Sequence, residues 1–136
     1  MAEQRYRDGM QVRREVLGDA HVDRAEARKS DLDQDFQQLI TETAWGGVWA
    51  RDGLDRRERS MLTIALLAAL GHKDELAMHI RATRNTGASR EDVKEVLLHV
   101  AIYAGVPAAN TAFDVARKVY QDADAPQPAA DTGSQP

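Results

Sequence analysis

The chain has 136 residues, 43% hydrophobic and 29% charged, which is the balance of one globular domain with a real core rather than two domains or a disordered polymer. A net charge of -4 without any basic block argues against DNA or RNA as a partner, and the absence of Cys excludes disulfides, thiolate catalysis and cysteine-bound metals. The opening MAEQRYRDG lacks the apolar core of a signal peptide, and no later stretch is long enough to cross a bilayer, so a cytoplasmic protein without a membrane partner is expected.

The first helix is predicted over about Glu3 to Leu17, with Tyr6, Met10, Val16 and Leu17 as a narrow apolar stripe and Gly18 as its stop. GDAHVDRAEARKS follows; it is polar, poor in core residues, carries His21, and reads as a loop or an arm lying on another surface. A second helix is predicted from Ser30, which forms a capping-box-like pattern with Asp33, and Leu32, Phe36, Leu39 and Ile40 keep helical spacing. It runs into Ala44-Trp45-Gly46-Gly47-Val48-Trp49, where the double glycine marks a helix end or break. The two rings there fit a pocket wall and plain core equally well.

Asp55 with Glu58 forms a capping box that opens the most apolar stretch, Met61 to Leu70, read as a helix buried on most sides. Gly71 ends it. The next helix carries Glu75 and His79 four residues apart, on one face, with Leu76, Ile80 and Thr83 marking the buried direction. Asn85-Thr86-Gly87 reads as its end, and Ser89 with Asp92 opens another helix. There Val93, Val96, Leu97, Val100, Ala101 and Ala104 form the strongest amphipathic pattern in the chain. Gly105 ends this helix and Pro107 suits the first turn of the last one, whose Ala109, Ala112, Phe113, Ala116 and Tyr120 face inward. No stretch alternates as a strand would. The expectation is an all-α fold of about six helices over residues 1–122, with a disordered tail over 123–136. The apolar faces of Met61–Leu70 and Val93–Ala104 exceed what one small domain covers, which predicts self-association.

For chemistry, a histidine at the edge of a buried face beside a carboxylate suits proton transfer, with Glu75 fixing the tautomer of His79 or raising its pKa. The same spacing also describes a surface pair with no role. One His and one carboxylate supply two ligands at most, so no metal is expected. Arg51, Arg56, Arg57 and Arg59 cluster at a helix start, and Arg81 and Arg84 follow His79. Most are expected to be solvated, although an acidic small molecule would need one or two of them, because the guanidinium fork binds carboxylates in bidentate fashion. No phosphate loop, nucleophile elbow or cofactor motif is present.

Four strings then carry a resemblance: R-x-R-S-M-L-T-I-A-L-L-A-A-L-G from Arg57, E-L-A-M-H-I-R from Glu75, E-V-L-L-H-V-A-I-Y-A-G-V-P-A-A-N from Glu95 and V-L-G-D-A-H-V-D-R from Val16. Together, over roughly Tyr6 to Tyr120, the chain resembles the carboxymuconolactone decarboxylases, within the wider superfamily that includes the AhpD-like alkylhydroperoxidases. The peroxidase branch carries C-x-x-C-x-x-x-H where this chain has His72, Glu75 and His79, and its assisting glutamate falls at Ser60. Without thiols, disulfide-based peroxide reduction is impossible.

The resemblance implies an AhpD-like helical domain in a ring-like homo-oligomer, a homohexamer built as a trimer of dimers. It implies loss of CO2 from 4-carboxymuconolactone to give β-ketoadipate enol-lactone, a step of protocatechuate breakdown, without a cofactor. On that reading His79, oriented by Glu75, delivers the proton, Arg59 and Arg81 hold the acidic lactone, Trp45 and Trp49 supply a less polar wall, and His21 adds a donor from its own or a neighbouring subunit. Another small lactone or keto acid as substrate, or a non-catalytic helical assembly module, are the alternatives.

Overall fold

The computed structural model describes residues 2–126, and every one of its elements is helical. They are α1 (Ala2–Leu17), α2 (Asp19–Ala27), α3 (Gln34–Ile40), a π-helical segment (Thr41–Trp49), α4 (Arg56–Leu70), α5 (Lys73–Thr86), α6 (Arg90–Tyr103) and α7 (Val106–Asp124). There are thus seven α-helices rather than about six. The tail expected over 123–136 begins late, since α7 continues through Asp124, and residues 127–136 lie outside the described residues.

The boundaries follow local chemistry. At the start of α4 the Glu58 N–H donates to Asp55 Oδ1 at 2.8 Å and the Asp55 N–H donates to Glu58 Oε1 at 3.0 Å, closing the predicted box. Ser89 and Asp92 repeat it at α6, with both bonds at 2.9 Å. Asp92 also receives the fork of Arg57 at 2.7 and 2.8 Å, tying the starts of α4 and α6 together. Gly71 takes φ 79°, and the His72 N–H returns to the Leu67 carbonyl at 3.0 Å, which satisfies an otherwise orphaned helix-end carbonyl.

Two buried clusters result. Ile64, Ala68, Leu76, Ile80, Val93, Leu97, Val100, Ala109, Ala112, Ala116 and Val119 join α4 to α7. Val12, Val16, Leu17, Val22, Trp45, Trp49 and Ala82 join α1, α2, the π-helical segment and α5. Helix α5 serves both, burying Leu76 and Ile80 in one and Ala82 in the other.

Three expectations are corrected. The segment read as a loop or arm is helix α2: Gly18, at φ 94°, ends α1 and opens the new helix at once. It is anchored by Val22, which is fully buried, and by Arg14, which holds Asp19 at 3.1 Å and Asp23 at 2.8 Å. A single apolar anchor leaves no periodicity to read. The helix expected from Ser30 starts at Gln34, because Ser30 and Asp33 bond one another in a turn ahead of it. Finally, α4 is not buried on most sides. Ser60, Ile64 and Ala68 form its inner stripe, while Leu62, Leu66 and Leu70 are more than half exposed on the other side.

Candidate active site

Residues 41–49 do not break the helix; they widen it. The chain continues from α3 as a nine-residue π-helix, in which the Ala50 N–H reaches the Trp45 carbonyl, five residues back, at 2.9 Å. A wider turn keeps residues four apart nearly aligned, so Thr41, Trp45 and Trp49 all point inward. The segment lies hard against α1. A Cβ on Gly9 would sit 2.1 Å from the Thr41 carbonyl oxygen, and one on Gly46 would sit 2.4 Å from the Arg5 carbonyl oxygen. Only glycine at both positions permits this backbone-to-backbone approach.

Trp45 and Trp49 are buried with ring centroids 5.1 Å apart, and both lie nearly parallel to the His79 imidazole, at 6.3 and 6.1 Å. His79 is 7% exposed, and its Nδ1 has no hydrogen-bond partner. A buried polar atom left open in this way is costly unless something else is meant to meet it. Burial pushes the His79 pKa down to about 4, and the neighbouring His21 adds to the shift, so the imidazole is neutral at pH 7.

His21, half-buried on α2, is also pushed down, first by burial and then by the positive charges of Arg24, Arg13, Arg81 and Arg28. Two neutral imidazoles therefore lie side by side, one of them, His21, among four arginine charges, which suits a ligand with more than one negative charge.

The structure thus brings His79, Trp45 and Trp49 into contact, and places His21 and the charge of Arg81 beside them. Glu75 stands apart. It is exposed, it makes no hydrogen bond to His79 in the described chain, and the His79 pKa moves down rather than up. Arg59 is half-buried at the start of α4, where it donates to the Arg51 carbonyl at 3.3 Å and leaves its Nε buried without a partner. Arg56 and Arg57 are engaged with Glu15 and Asp92. His72 is exposed at the Gly71 turn, and His99, exposed on α6, stacks on Tyr103 at 4.9 Å.

Sequence reasoning missed Arg13, a 4%-exposed arginine beneath this group. A signal was available: Arg13 precedes Val16 and Leu17 by three and four residues, which puts it on the inward face of α1. Among the described residues, no group of three His, Asp or Glu side chains converges as a metal site would require.

Residues 34–118 match the carboxymuconolactone decarboxylase family. The chain belongs to that family. It is 51% identical over 120 residues to a 4-carboxymuconolactone decarboxylase of Acinetobacter baylyi, an alignment covering 88% of this chain and 90% of the relative. It is 38% identical over 117 residues to a nitrosuccinic acid decarboxylase of Metarhizium robertsii, covering 86% of this chain and 82% of the relative. A 4-carboxymuconolactone decarboxylase of Pseudomonas putida is 58% identical over 43 residues, 32% of this chain and 90% of that sequence. The match to the family model begins at α3, so α1 and α2, with Arg13 and His21, lie outside it, while the 120-residue alignment is long enough that it must include α2 and His21.

Proposed function

We infer that this member of the carboxymuconolactone decarboxylase family removes CO2 from 4-carboxymuconolactone to give β-ketoadipate enol-lactone, in the cytoplasmic breakdown of protocatechuate. The observation that carries the reading is His79: a buried imidazole with an open nitrogen, flanked by two tryptophans and neighboured by His21, which itself feels four arginine charges. The 51% identity to the Acinetobacter decarboxylase supports it.

The carboxylate leaves from the ring carbon that is conjugated, through the ring alkene, to the lactone carbonyl. The electron pair of the breaking C–C bond therefore moves into that carbonyl and forms a dienolate, and a proton then adds at carbon. The substrate is its own electron sink. Arg81 and His21 hold the acetate carboxylate, with Arg59 as a further candidate at the start of α4. The faces of Trp45 and Trp49 offer the departing carboxylate a poorly hydrated surface. His79 first donates a hydrogen bond to the dienolate oxygen. The negative charge of the bound dicarboxylate raises the proton affinity of both imidazoles, so a proton is taken up as the substrate binds and is available for delivery to carbon. Glu75, one turn before His79, is assigned a supporting role in orienting the imidazole once substrate is bound.

The same reading includes self-association into a homohexamer. Leu62, Leu66, Leu70, Leu98, Ile102, Tyr103 and Val106 stand exposed on α4, α6 and the start of α7, more apolar surface than a monomer of this size usually presents to water. A second copy of the chain is the proposed cover, and Leu66→Glu should yield a smaller species in sedimentation. No described helix is long and apolar enough to cross a membrane.

The test follows the ultraviolet absorbance of freshly prepared 4-carboxymuconolactone with purified protein and chelator, for wild type, His79→Ala and Glu75→Gln. Turnover that collapses in His79→Ala and falls less in Glu75→Gln supports the reading. No turnover by a folded wild type refutes it. Nitrosuccinic acid, the substrate named for the Metarhizium relative, is then the next to assay.

A further inference from the structure

We propose that Arg13 is a positioning residue for this decarboxylation: its guanidinium, buried beneath the site, fastens α2 and the π-helical segment to α1 and so sets His21 and the two tryptophans against His79. The proposal rests on the function given above.

Arg13 reaches three elements from one position on α1. Its Nη1 lies 3.7 Å from Glu26 on α2 and donates to Thr41 Oγ1, in the π-helical segment, at 3.5 Å. Its Nη2 donates to Gln37 Oε1 on α3 at 3.2 Å. No other described side chain links all of these elements by hydrogen bonds or ion pairs. As a purely structural device the arrangement is poor. The contacts are long, Nε is buried without a partner, and burial lowers the proton affinity of the guanidinium, with Glu26 the main opposing influence. The neighbouring inward positions of α1 hold Val12, Val16 and Leu17, so an aliphatic residue would complete that face at lower cost. What an aliphatic residue would not supply is a directed fork and a positive charge near His21.

That charge acts on the site. His21 faces Arg13 from α1, Arg24 and Arg28 from α2 itself, and Arg81 and His79 from α5. Arg13 is the arginine of this set that is nine-tenths buried, and so the one least screened by water. It helps hold the His21 imidazole neutral in the free protein.

Trp45 and Trp49 are the only tryptophans in the chain, so tryptophan emission, excited selectively over the tyrosines, reports on this site alone. Full-length Arg13→Lys keeps the charge and loses the fork; Arg13→Gln loses both. In each, the emission maximum should move to the red and kcat should fall at least tenfold, while KM for the Lys variant stays within threefold of wild type. In Arg13→Gln alone, the first protonation step of the histidine pair, followed as emission against pH without substrate, should move to higher pH. Unchanged emission and kcat in Arg13→Gln would overturn the proposal, as would a lowered Tm with kcat intact. If both variants misfold, Gln37→Leu removes one arm of the clamp and should lower kcat at least threefold; wild-type kcat there also overturns it. Should wild type itself fail to turn over the lactone, the functional reading falls, while the emission titration still decides what Arg13 does.

Discussion

Around Ile64, Leu97 and Val119, helices α4 to α7 meet through aliphatic side chains, and α4 and α6 open in closed capping boxes; around His79, α1, α2 and the π-helical segment meet through tryptophans, a buried arginine and bare backbone contact. In the first region α4 and α6 open in capping boxes and α4 and α5 end in left-handed glycines, with the Ser60 and Tyr120 hydroxyls among its buried unpartnered groups. The second departs further: a long π-helix, an unpartnered imidazole nitrogen and a loosely bonded internal guanidinium. Departures of this kind concentrate where a site is held, because a site needs groups that are not yet satisfied. Well-packed helices serve as the frame on which the unsatisfied region is mounted, and α5, which belongs to both, carries the histidine.

Paired substitutions sharpen the contrast. The largest effect is expected from the histidines: His79→Ala should lower kcat by about 10²–10⁴-fold, while His72→Ala at the exposed Gly71 turn leaves it within twofold, as measured by lactone absorbance. Gly9→Ala comes next. Its new Cβ would meet backbone that cannot rotate away, and we expect a loss of about 3 kcal/mol, a fall in Tm of about 10 °C, together with lost activity. By contrast Gly71→Ala, with nothing within 4 Å of the new Cβ and only the strain of φ 79°, should cost about 1 kcal/mol and leave turnover intact.

Acid separates the regions as well. Below about pH 6.5 the unfolded chain binds a proton at His79 that the folded chain refuses until about pH 4. Stability is therefore lost as pH falls through that window and is unaffected above it, by up to about 3 kcal/mol. The unfolding free energies from urea titrations at pH 7 and pH 4 should differ by that much less in His79→Gln than in wild type. The smallest effect belongs to the frame: Ser89→Ala removes one half of a capping box, and should lower stability by about 1 kcal/mol in a thermal melt with activity unchanged.

Much of the frame was legible in advance. Asp55–Glu58, Ser89–Asp92, Gly71, Gly87 and Pro107 act where their residue types predict, because caps and glycine turns are decided within a few residues. His79 was legible from its place at the edge of a buried stripe. Its expected partner was not: i,i+4 spacing places Glu75 on the same side of α5, but exposure there and burial at His79 depend on what packs against each turn. Helix α2 was missed because one buried valine and an arginine on the preceding helix fix it, and neither leaves a periodic mark.

The sequence by itself determined an all-helical chain without thiol chemistry, the ends of its later helices, a histidine on a half-buried face and a surplus of apolar surface on α4 and α6. Each of these is fixed by composition or by neighbours within one or two turns. Only the tertiary structure decided that residues 41–49 widen into a π-helix, that Gly9 and Gly46 let it lie against α1, and that Arg13 is buried where its charge reaches His21. Those features depend on contacts between residues that are distant in the chain, and such contacts exist only once the helices have packed.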